Sequence, residues 1–136
     1  MTEIFLDATV LVLAAGDSDP RRQACQDVFA AIRDGRARGH VSTEAIQEFV
    51  LHRMRRGDGR AVALGREAAS SCVLHPFDEH VLEATLLLME AGTVRGRDAV
   101  HAATAIRVGF SEIVTTDRDF DDVPGLSRLD PSSWTP

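Results

Sequence analysis

The sequence contains no lysine, no asparagine and no tyrosine, and all 15 of its basic residues are arginine. The missing lysine is the most restrictive absence. It excludes a phosphate-binding loop of the Gly-Lys-Ser/Thr kind, Schiff-base chemistry and a lysine general base. Cysteine is scarce as well. Cys25 and Cys72 stand alone, with no paired-cysteine spacing, so structural zinc and c-type haem attachment are excluded. The two thiols read as buried and reduced, as in a cytoplasmic protein. Long apolar runs are absent too, none approaching the ~20 residues that span a bilayer. Met1-Thr2-Glu3 opens neither a basic region nor a cleavable signal. The expected location is the cytoplasm, with no membrane partner.

What remains is a balanced globular composition. Hydrophobic residues make up 44% and charged residues 26%, which separates the chain from disordered sequences. A length of 136 residues suits one domain, expected to span 1–136. Size scaling gives a folded surface of roughly 7,000 Å² against about 21,000 Å² unfolded, enough burial for a core without staples. The net charge of −6 argues against blanket electrostatic attraction to nucleic acid. Charge is unevenly placed, however. Ten arginines lie between Arg21 and Arg66, while Asp117, Asp119, Asp121, Asp122 and Asp130 crowd the C-terminal end.

Short apolar runs alternate with helical patterns. Ile4-Phe5-Leu6 reads as a buried strand ending at Asp7, followed by a helix over 8–15. Asp17-Ser18-Asp19-Pro20 reads as a turn and helix start, leading into a helix over 21–34. Gly35 to Gly39 reads as a basic loop and His40-Val41 as a second strand. Ser42 or Thr43 caps a helix to about Arg56 with an apolar stripe of Ala45, Ile46, Phe49 and Val50. A helix over 60–70, a strand over 72–75 and a helix from Asp78 to Met89 follow. Leu86-Leu87-Leu88-Met89 reads as core, with a dimer surface as the alternative. After a loop from Thr93 to Arg97, Asp98 opens an alanine-rich helix. Its apolar stripe is Ala99, Ala102, Ala103 and Ile106, which leaves His101 to one side at a surface or partly buried position. Glu112 to Thr115 forms a strand ending at Thr116-Asp117, and Ser127 to Leu129 a last edge strand. Trp134 is expected to pack back on the domain. Strands alternating with helices specify an α/β layer fold with a parallel sheet.

The carboxylates carry the chemistry. Asp7 and Asp117 each end a predicted strand, and Asp98 opens the helix before the second of these. Functional groups in open α/β sheets gather at the carboxyl ends of strands. Glu48, on the helix after the second strand, can reach the same crevice. Glu44, one turn earlier, competes with it for that place. At an effective dielectric of about 20, carboxylates ~5 Å apart repel by roughly 3 kcal/mol per pair. Such a cluster takes up protons or binds cations. Oxygen-only donors select a hard ion, Mg²⁺ or Mn²⁺. Two such ions can activate a water and stabilise the leaving oxygen in phosphodiester hydrolysis. Each acid also has a plainer use: Asp98 as a helix cap, Asp117 and Asp119 in a turn, Glu48 as a salt-bridge partner. Their joint order along the chain is what points to a site.

Four segments resemble the PIN-domain family. Ile4-Phe5-Leu6-Asp7-Ala8-Thr9-Val10-Leu11-Val12 is similar to its opening strand. Val41 to Phe49, reading Val-Ser-Thr-Glu-Ala-Ile-Gln-Glu-Phe, is similar to the segment of its second acid. Asp98-Ala99-Val100-His101-Ala102-Ala103-Thr104-Ala105 resembles the third-acid helix. Ile113-Val114-Thr115-Thr116-Asp117-Arg118-Asp119-Phe120 resembles the strand and turn of the fourth. The resemblance runs from about residue 3 to 130. It implies a PIN-like three-layer fold, a central parallel sheet flanked by helices. At this length the chain most resembles the VapC-type toxins of bacterial toxin–antitoxin pairs. That implies a Mg²⁺- or Mn²⁺-dependent endoribonuclease cutting structured RNA such as tRNA or rRNA, a homodimer, and an antitoxin that covers the site.

Carried over by position, Asp7, Glu48, Asp98 and Asp117 match the acidic quartet and would be the catalytic metal ligands. The Gln-Glu-Phe context favours Glu48 over Glu44. Thr9 matches a position that is often Ser or Asn in the family, and would orient Asp7 or a water. Thr115 or Thr116 would hold the site from the facing strand, and Asp119 would join as a fifth acid. Arg53 and Arg56, after Glu48, and Arg95 and Arg97, before Asp98, are expected to line the substrate path. The rival reading is a catalytically silent PIN-like module that binds RNA or protein. A haloacid-dehalogenase-type phosphatase is disfavoured, because Thr9 stands where a second Asp is needed and no lysine exists.

Overall fold

A computed structural model describes residues 1–16 and 18–136. The turn expected at Asp17 lies outside the described residues. Those residues form five strands and six helices in alternation. In chain order they are β1 (Thr2–Phe5), α1 (Ala8–Ala15), α2 (Arg22–Arg33), β2 (Ala37–Ser42), α3 (Thr43–Arg55) and α4 (Ala61–Ser71). There follow β3 (Cys72–His75), α5 (Glu79–Ala91), α6 (Gly96–Arg107), β4 (Glu112–Val114) and β5 (Ser127–Leu129).

β1, β2 and β3 pair in parallel, as do β4 and β5. A parallel bridge between Leu6 and Val114 joins the two pieces, so the strand order is β3-β2-β1-β4-β5. Alternation along β1 divides the core. Ile4 and Leu6 face α1, α2 and α3, with Val41 and Val114 beside them. Phe5 points the other way, toward Ala99, Ala102 and Ala105 of α6 and toward Phe120. Helices cover both faces, giving the three-layer α/β arrangement expected. The solvent-accessible surface is 7319 Å², close to the size scaling. Both cysteines are free, and burial pushes each thiol up to about 11, out of reach of ordinary nucleophilic chemistry. Among the described residues no helix is long and apolar enough to cross a membrane. Trp134 packs on the α1–α3 side of the core.

Three readings of the chain need correction. The segment from Ala37, read as loop, already belongs to β2, because Thr2 of β1 pairs with Ala37 and extends the ladder. The α6 helix starts at Gly96 rather than Asp98. Gly96 takes φ 62°, a left-handed backbone that glycine adopts at no steric cost, and turns the chain into the helix. Leu86, Leu87 and Met89 are exposed, at 46%, 57% and 45%, instead of lying in the core. α5 buries Val81 and Thr85 instead, and Leu88 packs against the α6 side of the core.

Leu6 is wholly buried at the junction of the two sheet pieces. Leu6→Ala is expected to cost about 2–5 kcal/mol by lost burial and cavity formation. Urea unfolding reads this as a lowered midpoint with an unchanged slope.

Candidate active site

Asp7 follows β1 directly and is 1% exposed. Its backbone N–H donates to Val114 O at 3.0 Å, so the end of β1 is tied to the end of β4. Two hydroxyls then converge on one carboxylate oxygen. Thr9 Oγ1 donates to Asp7 Oδ2 at 2.9 Å and Thr115 Oγ1 donates to the same oxygen at 2.8 Å. Each hydroxyl is oriented by an amide. Asp117 N–H donates to Thr115 Oγ1 at 3.0 Å, and Thr116 N–H to Thr9 Oγ1 at 3.4 Å. Each hydroxyl thus accepts from an amide while its own proton points at Asp7. Burial nevertheless raises the Asp7 carboxyl above the usual range, and the Glu48 charge adds to this, while His101, Thr115 and Thr9 oppose it.

Asp98 lies three residues into α6, in its first turn. It does not cap the helix, because Arg95 occupies that position and no side-chain cap bond forms there. Among the described residues no hydrogen bond reaches the Asp98 carboxylate. Desolvation, then the charges of Asp7 and Asp117, push its pKa up to about 7. Asp117 accepts from Asp119 N–H at 2.9 Å and so caps the 3-10 turn at Arg118–Phe120. One carboxylate oxygen from each of Asp98, Asp117 and Asp119 lies within 4.8 Å of the others. Asp7 and Glu48 are outside that tightest group but act on Asp98 through their charges.

Glu48 is the acid that α3 directs to the site. His101 Nε2 lies 2.8 Å from Glu48 Oε2, and that hydrogen bond holds Glu48 below the usual carboxylate range. Glu44 instead accepts from Thr43 Oγ1 at 3.1 Å. His101 is 0% exposed, contrary to the surface or partly buried position expected from its place beside the alanine stripe. α6 packs against α5, α3 and β2, so a single buried stripe does not describe it. Its other ring nitrogen, Nδ1, lies 2.6 Å from Ser42 Oγ. His101 and Ser42 were not among the site residues read from sequence. The three-residue step from Asp98 to His101, one turn on the same helix face, was the available signal.

The arginines divide. Arg95 and Arg97 are exposed at the start of α6, and the Arg97 charge reaches Glu48. Arg95 lines a cavity of about 410 Å³ together with Asp98, Asp119 and Arg118. Arg118 was also not singled out from sequence. Arg56 is exposed just beyond α3. Arg53 differs from the expectation: its Nε and Nη2 each lie 2.9 Å from Asp58 Oδ2, and its side chain is 13% exposed, so that ion pair uses it. Thr116 contributes its backbone N–H, while Thr115 supplies the hydroxyl.

An all-oxygen set of this kind fits a hard divalent cation and offers nothing to softer metals. Without a cation, protonation of Asp98 relieves the repulsion. Its folded pKa lies above its unfolded value, so its contribution to stability is full below about pH 4 and is lost as pH rises through about 7. Asp98→Asn removes that loss. In chelator, the variant is expected to melt above the wild type by a margin that grows from roughly pH 4 to pH 7 and then levels off. A margin independent of pH in thermal melts would contradict this.

Comparison with known proteins agrees with the architecture. The PIN domain family model matches residues 4–126. Ribonuclease VapC7 of Mycobacterium tuberculosis is 38% identical over 134 residues, covering 96% of this chain and 92% of the relative. Among solved structures, the sarcin–ricin loop cleaving toxin VapC20 of M. tuberculosis superposes with a TM-score of 0.72 at 16% identity, covering 87% of this chain and 92% of that one. DNA-bound VapBC from Salmonella typhimurium gives a TM-score of 0.71 at 19% identity, with 96% and 99% covered. The structural likenesses speak for the fold, while the family model and the VapC7 relationship settle descent: the chain belongs to the PIN-domain family, among its VapC-type members.

Proposed function

We propose that the protein is a divalent-metal-dependent endoribonuclease and the toxin of a toxin–antitoxin pair. The observation that carries this reading is the clustering of Asp98, Asp117 and Asp119, with Asp7 and Glu48 near enough to act on Asp98 by charge, acids drawn from four separate stretches of chain. Its support from relatives is the ribonuclease name of VapC7 and the toxin–antitoxin complexes among the structures of the same fold. Residues 1–136 act as one PIN domain.

Asp7, Asp98, Asp117 and Glu48 would hold Mg²⁺ or Mn²⁺, with Asp119 as a fifth acid beside them. Bound there, one or two such ions supply an activated water and stabilise the leaving oxygen in phosphodiester hydrolysis. The chain's own residues prepare the place. Thr9 and Thr115 fix Asp7 Oδ2, so the carboxylate does not need reorienting when the substrate arrives. Asp98, raised to about 7, gives up its proton when positive charge is near. Arg95, Arg97 and Arg118 surround the acids at the surface and suit the phosphates on either side of the scissile bond. Arg53, paired with Asp58, stands outside this margin.

The substrate proposed is structured RNA, tRNA or rRNA, the class to which the sarcin–ricin loop named for VapC20 belongs. The antitoxin would cover the acids and bring a cation to them. Exposed Leu82, Leu86 and Met89 on α5, with Leu74 on β3 and Phe77 just after it, offer an apolar face for a homodimer.

Two experiments test this. Partner-free protein should cut a tRNA and rRNA pool into discrete fragments with Mg²⁺ or Mn²⁺, and not with EDTA. Asp7→Asn should lower the rate at least about 100-fold, the scale on which a pre-organised electrostatic group acts. Intact RNA under all metal conditions would count against the nuclease reading. Replacing Arg95 and Arg97 with Ala should weaken RNA binding and reduce its salt slope by about 1–2. An unchanged slope would remove both from the substrate path.

A further inference from the structure

His101 is the one large polar side chain buried on α6 among Ala99, Ala102, Ala103 and Ala105. Burying an imidazole is unfavourable unless both nitrogens are used, and both are. A carboxylate has no proton to give, so Nε2–H donates to Glu48 Oε2 at 2.8 Å. Ser42 Oγ, 2.6 Å from Nδ1, also accepts from Ala45 N–H at 3.2 Å and caps α3. Its hydroxyl proton goes to Nδ1 when the ring is neutral, and it accepts from Nδ1–H when the ring is charged. The ring is therefore clamped at one end by the start of α3 and aims its other end at a residue one and a half turns along the same helix. Serine, histidine and an acid in a row are also the residue types of a hydrolytic triad. Ser42 is 1% exposed and engaged in the helix cap, so no substrate reaches it and that use is excluded.

We infer that His101 is a positioning residue for the nuclease site: through Ser42 and Glu48 it sets where the α3 carboxylate stands relative to Asp7 and Asp98. This rests on the metal-dependent reading above. Glu48 belongs to a flexible side chain, 33% exposed, facing other acids that repel it. A donor fixed on α6, one turn from Asp98, holds it against that repulsion and ties two acids from different helices to one rigid element. Hydrogen bonds of this kind orient carboxylate ligands, and losing one typically weakens metal binding or activity by about 10–100-fold.

The test separates positioning from mere packing. An Asn amide at 101 reaches only as far as Nδ1, so His101→Asn keeps the Ser42 bond and loses Glu48. A Gln amide reaches as far as Nε2, so His101→Gln keeps Glu48. Mn²⁺ affinity is measured by calorimetry on the free chain, with circular dichroism melts to confirm folding. Affinity is expected to fall about tenfold in His101→Asn and to stay within about threefold of wild type in His101→Gln. In a Glu48→Gln background His101→Asn should cause no further loss. Equal affinities in the two variants, or a full additional loss in that background, would overturn the role. Independently of any substitution at 101, the wild-type ring should show a downfield Nε2–H proton resonance that shifts when Mg²⁺ is added, and does not shift in Glu48→Gln. An Mg²⁺-insensitive resonance in protein that binds the ion would overturn it too. If the wild type takes up no metal ion, the metal reading itself fails, an outcome distinct from these.

Discussion

Like charges forced together are the constraint on which the rest of this site depends. Asp98, Asp117 and Asp119 meet where β4 ends and α6 begins, with Asp7 and Glu48 near enough to act on Asp98 by charge. Each has to be held there against the others, in surroundings drier than water. Three of the acids are held by three different devices. Asp7 is gripped by two hydroxyls on one oxygen. Glu48 is held by a buried imidazole. Asp117 is fixed by the turn it caps. Among the described residues no donor reaches Asp98, and desolvation with the charges of Asp7 and Asp117 pushes its carboxyl up to about 7.

These devices need the fold to bring distant segments into register. The Leu6–Val114 bridge places Asp7 beside Thr115, 108 residues later in the chain. Small residues on α6 let that helix lie close to the sheet, with Ala99, Ala102 and Ala105 fully buried. The approach puts Asp98 near Asp7 and His101 against Ser42. Parallel pairing points every strand's carboxyl end the same way, so the acids gather on one side without a special loop. Stability and site share the same parts: Leu6 and Val114 lie in the core, and the residues following them carry the chemistry.

Much of this was legible in the residues. The apolar runs Ile4-Phe5-Leu6 and Ile113-Val114 showed where the strands end, and the acids at those ends were visible with them. The order of the four segments showed the family resemblance. The misreadings have physical causes. A short strand reads as loop when its inner half is Ala-Arg-Gly, because the ladder with β1 defines β2 more than its own composition does. Periodicity finds one buried face, but α6 is enclosed by α5, α3 and β2, so His101 was placed too far outside. Four consecutive apolar residues on α5 suggested core, yet three are exposed, because a helix covering one side of a sheet has an outer face whatever stands on it. The Arg53–Asp58 pair was hidden in a turn that composition alone left open.

The claim that joins these observations is that the carboxylate cluster is built to exchange protons for a divalent cation. It is tested most directly by calorimetric titration of the free protein with Mg²⁺ or Mn²⁺ near pH 7, in buffers of differing ionisation enthalpy. The predicted result is metal uptake accompanied by proton release that diminishes at higher pH, since Asp98 titrates at about 7. Absence of uptake, or uptake without any proton release at neutral pH, would contradict it.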